Sequence, residues 1–584
     1  MQSSPLIHLP AEILDAILSL IDAHDDILSF ALAGRACASL AIPRHTEYRI
    51  LRIRHLRPEL WAHLAQRADL ASFVAHVHIS DSSVRLQPDR IPHTLIGPPG
   101  HQETRSPETE AVRVQNISKA IANMSSLRTF IWEFHEKPPH KPTLFASHED
   151  SILRALSQKK TLEHFALIGP FGSHAQPFTL DPEGQRYPLW RFRNLRYLTL
   201  LGDSWLKPAI TPHVLRLLIN MPLIEHLEIP LEFSYLHLLL FPALRDLKLL
   251  LLTGASASLD VTRSQFIERH TTLERLCWFP LALPSLSSEA LPDLKHLTTT
   301  RQVIECLASV SPPPPTPSSL SFAIFQPLPP ITEDPREANT RLPSPSGCVR
   351  RPIESLDVRS LDARALVDLH RHFMDSTTLR KLKLHTFRDV IDVCQVGDAF
   401  YGITWLWLPN VHLPSGSAHP KTVELCDLYK IISHFPRLEV LRGQAMWEAV
   451  NYNNDKMHLA IMHLAQMLPN LRELDHSGFD ERRKAYRRVI LKREITLERV
   501  VKDSSDGDGG EEEPESWESE TEYEEVAIMH ITYAIAKPKP RSVALLLNTH
   551  ICLTDNPGMS GTSSTANSTR LPTIPTTFHA FLVS

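Results

Sequence analysis

The sequence predicts an α/β protein, in which a short helical segment at the N-terminus leads into a repetitive array of strands and helices. Three observations carry this expectation. A unit of the form apolar-x-x-apolar-x-apolar recurs a dozen times between residues 127 and 476. Most copies follow an amphipathic stretch that closes in a turn signal. The first forty or so residues carry helical rather than strand periodicity. At 584 residues and 66.1 kDa the chain is too long for one compact core, which leaves several domains or an array growing in one direction.

The N-terminal segment, residues 7–45, reads "IHLPAEILDAILSLIDAHDDILSFALAGRACASLAIPRH". Pro10 is placed for a first helical turn, where its missing N–H costs nothing, and Glu12 favours the same helix end. Ile13, Leu14, Ile17, Leu18, Leu20 and Ile21 then form a broad apolar face. Asp25 or Asp26 is expected to cap a second helix carrying Ile27, Leu28, Phe30, Ala31 and Leu32. Pro43 marks a break. Helices this short cannot bury both faces on each other, so the remaining apolar surface is covered either by the rest of the chain, as a plain cap, or by a partner.

The stretch "LPAEILDAILSLI…ILSFALAGRACASL" resembles an F-box, the three-helix module that docks on the Skp-type adaptor of cullin-based ubiquitin ligases. Leu9 and Pro10, then Glu12, Ile13 and Leu14, then Ile17 and Leu18 carry the resemblance. The continuation through "LWAHLAQRADLASFVAHVHI" is similar to the segment behind the F-box in basidiomycete fungal proteins. The resemblance implies adaptor contacts by Leu9, Pro10, Ile13, Leu14, Ile17, Leu18, Ile27 and Leu28. It places the F-box at residues 1–57 and a connecting helix, strand and loop at 58–110.

The repeat units are "LRTFIW", "LEHFAL", "LRYLTL", "IEHLEI", "LRDLKL", "LERLCW", "LKHLTT", "IESLDV", "LRKLKL", "ITWLWL", "LEVLRG" and "LRELDH", with "LERVVK" (497–502) a weaker member. Each alternating segment reads as a short strand, with the preceding helix packed on one side. In "LRYLTL", Leu195, Leu198 and Leu200 are expected inside and Arg196, Tyr197 and Thr199 on the open face; Leu244, Leu247 and Leu249, and Leu379, Leu382 and Leu384, share the phase. A doubly wound sheet also alternates β and α. The shared register, without a glycine-rich phosphate loop, favours a solenoid over residues 111–540, similar to the irregular leucine-rich repeats found behind F-boxes.

Two interruptions stand out. Residues 311–347 are proline-dense and read as an insertion, a spacer or a proline-rich ligand, in which "SLSFAIF" is a possible degenerate strand. Residues 503–525 hold twelve acids and no base. They read as a disordered loop between the strands "ITLERVV" and "VAIMHITYAIA". Residues 541–584 read as a mostly disordered Ser/Thr-rich tail.

The net charge of −5 predicts no polyanion-binding class, although the chain outside the acidic run is positive. Arg44, Arg49, Arg52, Arg54 and Arg57 read as a solvated face rather than a nucleic-acid site, since stacking aromatics beyond Tyr48 and Trp61 are missing. Seven scattered cysteines, none in a CxxC pair, point to a reducing compartment and away from a disulfide frame or zinc ribbon. Acids interrupt the N-terminal apolar run, and Arg245, Asp246 and Lys248 interrupt residues 236–252, so neither a signal peptide nor a membrane span is expected. No GxSxG, HExxH or P-loop pattern occurs, and the histidines of "HRH" (370–372) lack a second ligand at metal spacing.

The sequence therefore reads as a soluble, non-enzymatic protein of the cytoplasm or nucleus, with no cofactor, metal, nucleic acid or membrane partner expected. The resemblance implies the substrate-recognition subunit of a Skp–cullin–F-box ubiquitin ligase, holding the adaptor and through it a cullin, with an unidentified target on the repeats. The alternative is a repeat scaffold that binds partners without recruiting a ligase.

Overall fold

A computed structural model of the chain describes residues 9–21, 24–53, 57–80, 90–95, 110–133, 146–169, 171, 187–207, 209–230, 236–249, 259–308, 349–359, 361–412, 414, 419–480, 485–501 and 523–536. The chain is α/β, built on one long, mostly parallel sheet with many helices. Three short helices come first: α1 (Ala11–Leu20), α2 (His24–Leu32) and α3 (Arg35–Ala41). Pro10 lies one residue outside α1, at its N-cap, and Asp25 and Asp26 fall inside the first turn of α2 instead of capping it.

The sheet opens with β1 (Ile50–Ile53) and β2 (His76–Ser80), separated by α4 (Pro58–Gln66) and α5 (Ala68–Ala71). It continues with β3 (Thr129–Glu133), β4 (His164–Ile168), β5 (Tyr197–Leu201), β6 (His226–Ile229), β7 (Asp246–Leu249) and β8 (Arg275–Trp278). Next come β9 (His296–Thr300), β10 (Ser355–Arg359), β11 (Lys381–Leu384) and β12 (Trp405–Trp407). A separate two-stranded ribbon, β13 (Val411–His412) with β14 (Lys421–Thr422), precedes β15 (Val440–Arg442) and β16 (Glu473–Asp480). The long hairpin β17 (Ala485–Val501) and β18 (Tyr523–Ala536) ends the sheet. Among the described residues the sheet has 16 strands, each beside its predecessor in chain order, parallel up to β16 and antiparallel from there.

All twelve repeat units form strands, and residues 497–501 of "LERVVK" fall in the antiparallel β17. The sheet nevertheless starts well before residue 111: β1 lies within residues 1–57 and β2 within 58–110. "ILRI" and "HVHIS" are strands because each can pair with a neighbour and bury alternate residues against α4 and the helices beyond it. "SLSFAIF", most of the acidic run and the tail lie outside the described residues; Tyr523, Glu524 and Glu525 of the run belong to β18.

One in-register row explains the stacking. Starting at Leu51, it passes through Val77, Phe130, Phe165, Leu198, Leu227, Leu247, Leu276, Leu297, Leu356, Leu382, Leu406 and Leu441 to Leu474. Every member is buried. Helices cover this side, among them α6 (Glu110–Asn123), α7 (Ala146–Ser157), α8 (Thr211–Ile219), α9 (Leu259–Glu268) and α10 (Arg301–Ala308). They are followed by α11 (Ala363–Phe373), α12 (Val390–Ala399), α13 (Leu425–Ser433), α14 (Ala445–Ala449) and α15 (Asn454–Met467). The carboxylate of Asp362 caps α11 through Ala365 N at 2.8 Å, and Asn453 caps α15 through Lys456 N at 3.0 Å. The result is one apolar core running from Tyr48 to Leu491, which each repeat extends without closing.

Strand exits are tight. Gly202 has φ +142°, and a Cβ there would lie 2.0 Å from the Gly169 carbonyl oxygen; Gly443, at φ +99°, meets the Leu408 oxygen in the same way. Only glycine tolerates both the backbone angle and the approach of the neighbouring turn.

The predicted phase holds at Leu195, Leu198 and Leu200, at Leu244, Leu247 and Leu249, and at Leu379, Leu382 and Leu384, all buried. Arg196 and Tyr197 are exposed as expected. Thr199 also lies on the open face, as expected, but it is fully buried there, between Ala166 and Glu228 in register. There Ile131, Ala166, Ile168 and Leu201 form a second small apolar cluster, so this stretch of the open face is not solvated.

Arg351 closes the sequence gap between α10 and β10. It is fully buried, and its guanidinium donates to the carbonyls of Ser288, Ala290, Leu307 and Val349 at 2.6–3.3 Å. The side chain thereby ties the β8–β9 connection and the end of α10 to the repeat that follows the proline-rich segment.

Candidate functional site

The N-terminal helices hold themselves together with i, i+4 pairs. Leu14 and Leu18 on α1, Ile27 and Ala31 on α2, and Cys37 and Ala41 on α3 are buried. Leu18, Ile27, Ala31 and Ala41 make a small core separate from that of the sheet. The opposite sides of α1 and α2 are also apolar, and they are exposed: Ile13 (48%), Ile17 (37%) and Leu20 (73%) line one face of α1, and Leu28 (39%) and Leu32 (87%) lie one turn apart on α2. Leu9 and Pro10 extend the stripe at its start, and Ile42 is exposed after α3.

The eight residues singled out from the sequence thus divide. Leu9, Pro10, Ile13, Ile17 and Leu28 are exposed, available to a partner. Leu14, Leu18 and Ile27, for which the resemblance implied partner contacts, are buried instead, because short amphipathic helices need one row each for their own packing. Leu20 and Leu32 are the most exposed members of the stripe. Their i, i+3 and i, i+4 relation to Ile17 and Leu28 was the signal for them.

The helical module is fixed to the start of the sheet by polar contacts. Arg49, only 5% exposed, donates from Nη1 to the Leu18 carbonyl at 2.8 Å and from Nη2 to that of Ser19 at 2.9 Å, at the C-terminal end of α1. His45 Nε2 lies 2.9 Å from Asp15 Oδ1, and Arg90 Nη2 lies 2.6 Å from His24 Nδ1 while donating to the Thr46 carbonyl. Burial and the adjacent guanidinium hold the His24 pKa below its usual value. Arg44 stacks over Phe73 with its guanidinium carbon 5.2 Å from the ring centre. The solvated basic face expected from sequence is therefore corrected: Arg49 is buried and Arg52 is half-buried. Carbonyls at a helix end attract cations, and the local pattern around Arg49 does not reveal that tertiary partner.

Along the sheet, the residue before each strand forms a ladder that sequence reading overlooked. From Arg128 it runs Glu163, Arg196, Glu225, Arg245, Glu274, Lys295, Glu354, Arg380, Thr404, Glu439 and Arg472, alternating in sign except at Thr404. Backbone hydrogen bonds link neighbours in this order. Arg196 and Glu225 approach to 3.2 Å, and Glu274 meets both Arg245 at 3.5 Å and Lys295 at 3.1 Å. Each exposed pair is worth about 0–1 kcal/mol, but a stack that skipped one repeat would set like charges side by side. The signal was the second position of every repeat unit.

The open face of the sheet carries paired polar side chains. Asp357 binds Lys383 Nζ at 3.2 Å and His385 Nε2 at 2.6 Å, and Lys383 also lies 5.4 Å from the Trp407 ring centre. Burial works against the Asp357 carboxylate, yet His385 and Lys383 hold its pKa below the usual range. Burial likewise disfavours a charged His226, and the Asp246 and Glu228 carboxylates outweigh it, raising its pKa. Among the described residues His164 has no carboxylate partner, and burial, with the neighbouring His226 and His76, lowers its pKa to about 3. Burial pushes the Cys277 thiol up to about 12, so it supplies no thiolate near neutral pH. Glu424, Cys426 and Asp427 bring three ligand atoms within 4.8 Å at the start of α13, a grouping that sequence reading did not pick out. Glu424 and Cys426 are exposed, and nothing else at that cluster points to an ion.

No protein-family model matches the chain, and no curated protein matches it. Among the described residues, no helix is long and apolar enough to cross a membrane.

Proposed function

We propose that this chain is the substrate receptor of a Skp–cullin–F-box ubiquitin ligase. In this reading α1–α3 are the F-box and the strand–helix array is a leucine-rich-repeat solenoid that holds a target protein. The chain contributes no catalytic group. It brings target and ligase together, raising the effective concentration at which the ligase's other subunits act, in the cytoplasm or nucleus.

One observation supports the reading above the others. The stripe Leu9, Ile13, Ile17, Leu20, Leu28 and Leu32 stays exposed although its helices already have a core of their own. An apolar row on a firmly mounted module is what a partner groove requires, and covering each large side chain contributes roughly 1.5–3 kcal/mol. The ties through Arg49, His45 and Arg90 support the same reading, since a receptor acts by presenting its target in a fixed direction.

Co-expression with a Skp-type adaptor tests it. The wild-type chain is expected to capture the adaptor, and Leu9→Ala/Pro10→Ala/Ile13→Asp to lose it while the sheet stays folded. Capture by the triple variant at wild-type yield would remove the F-box assignment. A wild-type chain that captures no adaptor would favour the scaffold reading, with α1–α3 as a plain cap.

A further inference from the structure

The open face of the sheet is not uniform. Between β3 and β6 its middle row, Ile131, Ala166, Thr199 and Glu228, is buried. Between β8 and β12 the row next to the charge ladder reaches the surface. It runs in register through Arg275, His296, Ser355, Lys381 and Trp405, with Arg275 and Lys381 exposed and the other three half-buried. The following row is Cys277, Thr298, Asp357, Lys383 and Trp407.

Two properties set this stretch apart. The ladder alternates in sign, but the open face of these strands carries Arg275, Arg359, Lys381 and Lys383 against one carboxylate, Asp357. Lys383 and His385 already engage that carboxylate, and Arg275 lies 3.5 Å from Asp246 of the neighbouring repeat. The excess is bounded: Glu228 and Asp246 stand on one side of the stretch, Glu473 and Asp475 on the other. The second property is aromatic. Trp405 and Trp407 leave β12 on the same side, roughly 7 Å apart along the strand. Lys383 and the His385 ring, centred 5.4 and 5.8 Å from Trp407, hold that indole in place. Fixed tryptophans beside cations are the side chains that most often anchor an interface.

We infer that this face takes an extended acidic segment of a target protein, with carboxylates over Arg275 and Lys381 and an apolar end on Trp405 and Trp407. The inference deepens the proposed function by naming the target's chemistry, and rests on that reading for calling the occupant a target. The distance from β8 to β12 is roughly 19 Å, which about six extended residues span. A nucleic acid also combines backbone charge with stacking on aromatics, but its charge continues past this span onto the carboxylates at either side. A short acidic segment that stops at the tryptophans stays within the excess.

Fluorescence anisotropy of labelled probes titrated with the full chain tests this. The probes are a run of glutamates ending in a leucine pair, the same peptide with lysine for glutamate, and an oligouridylate of matching length. Wild type should bind the first and neither of the others. Arg275→Gln/Lys381→Glu should weaken binding roughly tenfold or more at a nearly unchanged melting temperature, whereas Arg196→Ala should leave it as it is. Trp405→Ala should weaken the leucine-ended peptide and make no difference to one of glutamates alone. No binding by wild type, equal binding by these variants, or tighter binding of the oligouridylate would overturn the inference. So would two other occupants. Tighter peptide binding once a glycine–serine linker replaces residues 505–522 would make it the chain's own acidic run. Self-association in light scattering that Lys381→Glu abolishes would make it a second copy. Adaptor capture is read separately. Capture without peptide binding removes this inference alone, and peptide binding without capture keeps the face and removes the ligase reading.

Discussion

Replacing Arg49 by Met removes a guanidinium while keeping most of the side chain's volume. The two lost bonds, at 2.8 and 2.9 Å, come from a charged donor and end on carbonyls at the negative end of α1. Hydrogen bonds to charged groups contribute about 1.5–3 kcal/mol each, and a buried acceptor left bare adds its own desolvation cost. Water reaching the exposed Ser19 offsets part of this, so the net cost is about 3 kcal/mol. The loss should be local, since α1–α3 have a core of their own and the sheet core begins at Tyr48. At about 1.4 kcal/mol per tenfold, amide exchange across residues 11–41 should then accelerate roughly 100-fold, read by mass spectrometry, while β5–β12 exchange as before. Unchanged protection of α1–α3, or an equal loss throughout the sheet, would refute Arg49 as the tie between module and array.

Three further outcomes rest on the same geometry. Leu198→Ala should cost about 2–5 kcal/mol in urea unfolding, whereas Arg196→Ala, which removes one exposed pair, should stay within about 1; equal costs would contradict the phase of the repeats. Arg351→Met bares carbonyls at Ser288, Ala290, Leu307 and Val349 and should cost roughly 3–5 kcal/mol, with exchange rising first in α10 and β10; even loosening along the array would contradict a local staple. His164 titrates near 3 when folded against 6.5 ordinarily, so the unfolded chain binds the proton first. Its contribution is whole above pH 6.5 and is lost as pH falls toward 3, at about 1.4 kcal/mol per unit. Between pH 7 and 5, wild type should lose about 2 kcal/mol more stability than His164→Leu, and equal losses would show that His164 protonates while folded.

How much of this was legible depends on the range of each interaction. The strands were readable because burial in a stacked sheet imposes period two, which Leu198 and Leu200 obey, with Leu195 buried just ahead of the strand. Thr199 was not, because its burial depends on Ala166 and Glu228 arriving beside it from two other repeats. The strand expected within residues 58–110 is β2, whereas β1 escaped because "ILRI" lacks the flanking leucine of the later units. Arg49 and Arg351 look solvated in any local window, and only tertiary structure supplies the carbonyls that hold them. The charge ladder was overlooked, although its signs sit in order at the second position of each unit. On α1 and α2 the apolar residues were visible, but which of them the module keeps for itself depends on how the three helices cross.

The most direct measurement is a titration of a purified Skp-type adaptor into the purified chain, comparing wild type, Ile13→Asp/Ile17→Asp and Leu18→Ala. Wild type should bind with one-to-one stoichiometry. The double variant changes only exposed positions, so it should melt as wild type does yet bind at least 100-fold more weakly, because two apolar anchors worth roughly 1.5–3 kcal/mol each are replaced by charge. Leu18→Ala should instead lower the stability of the module first. Tight adaptor binding by a folded Ile13→Asp/Ile17→Asp chain, or none by wild type, would contradict the account.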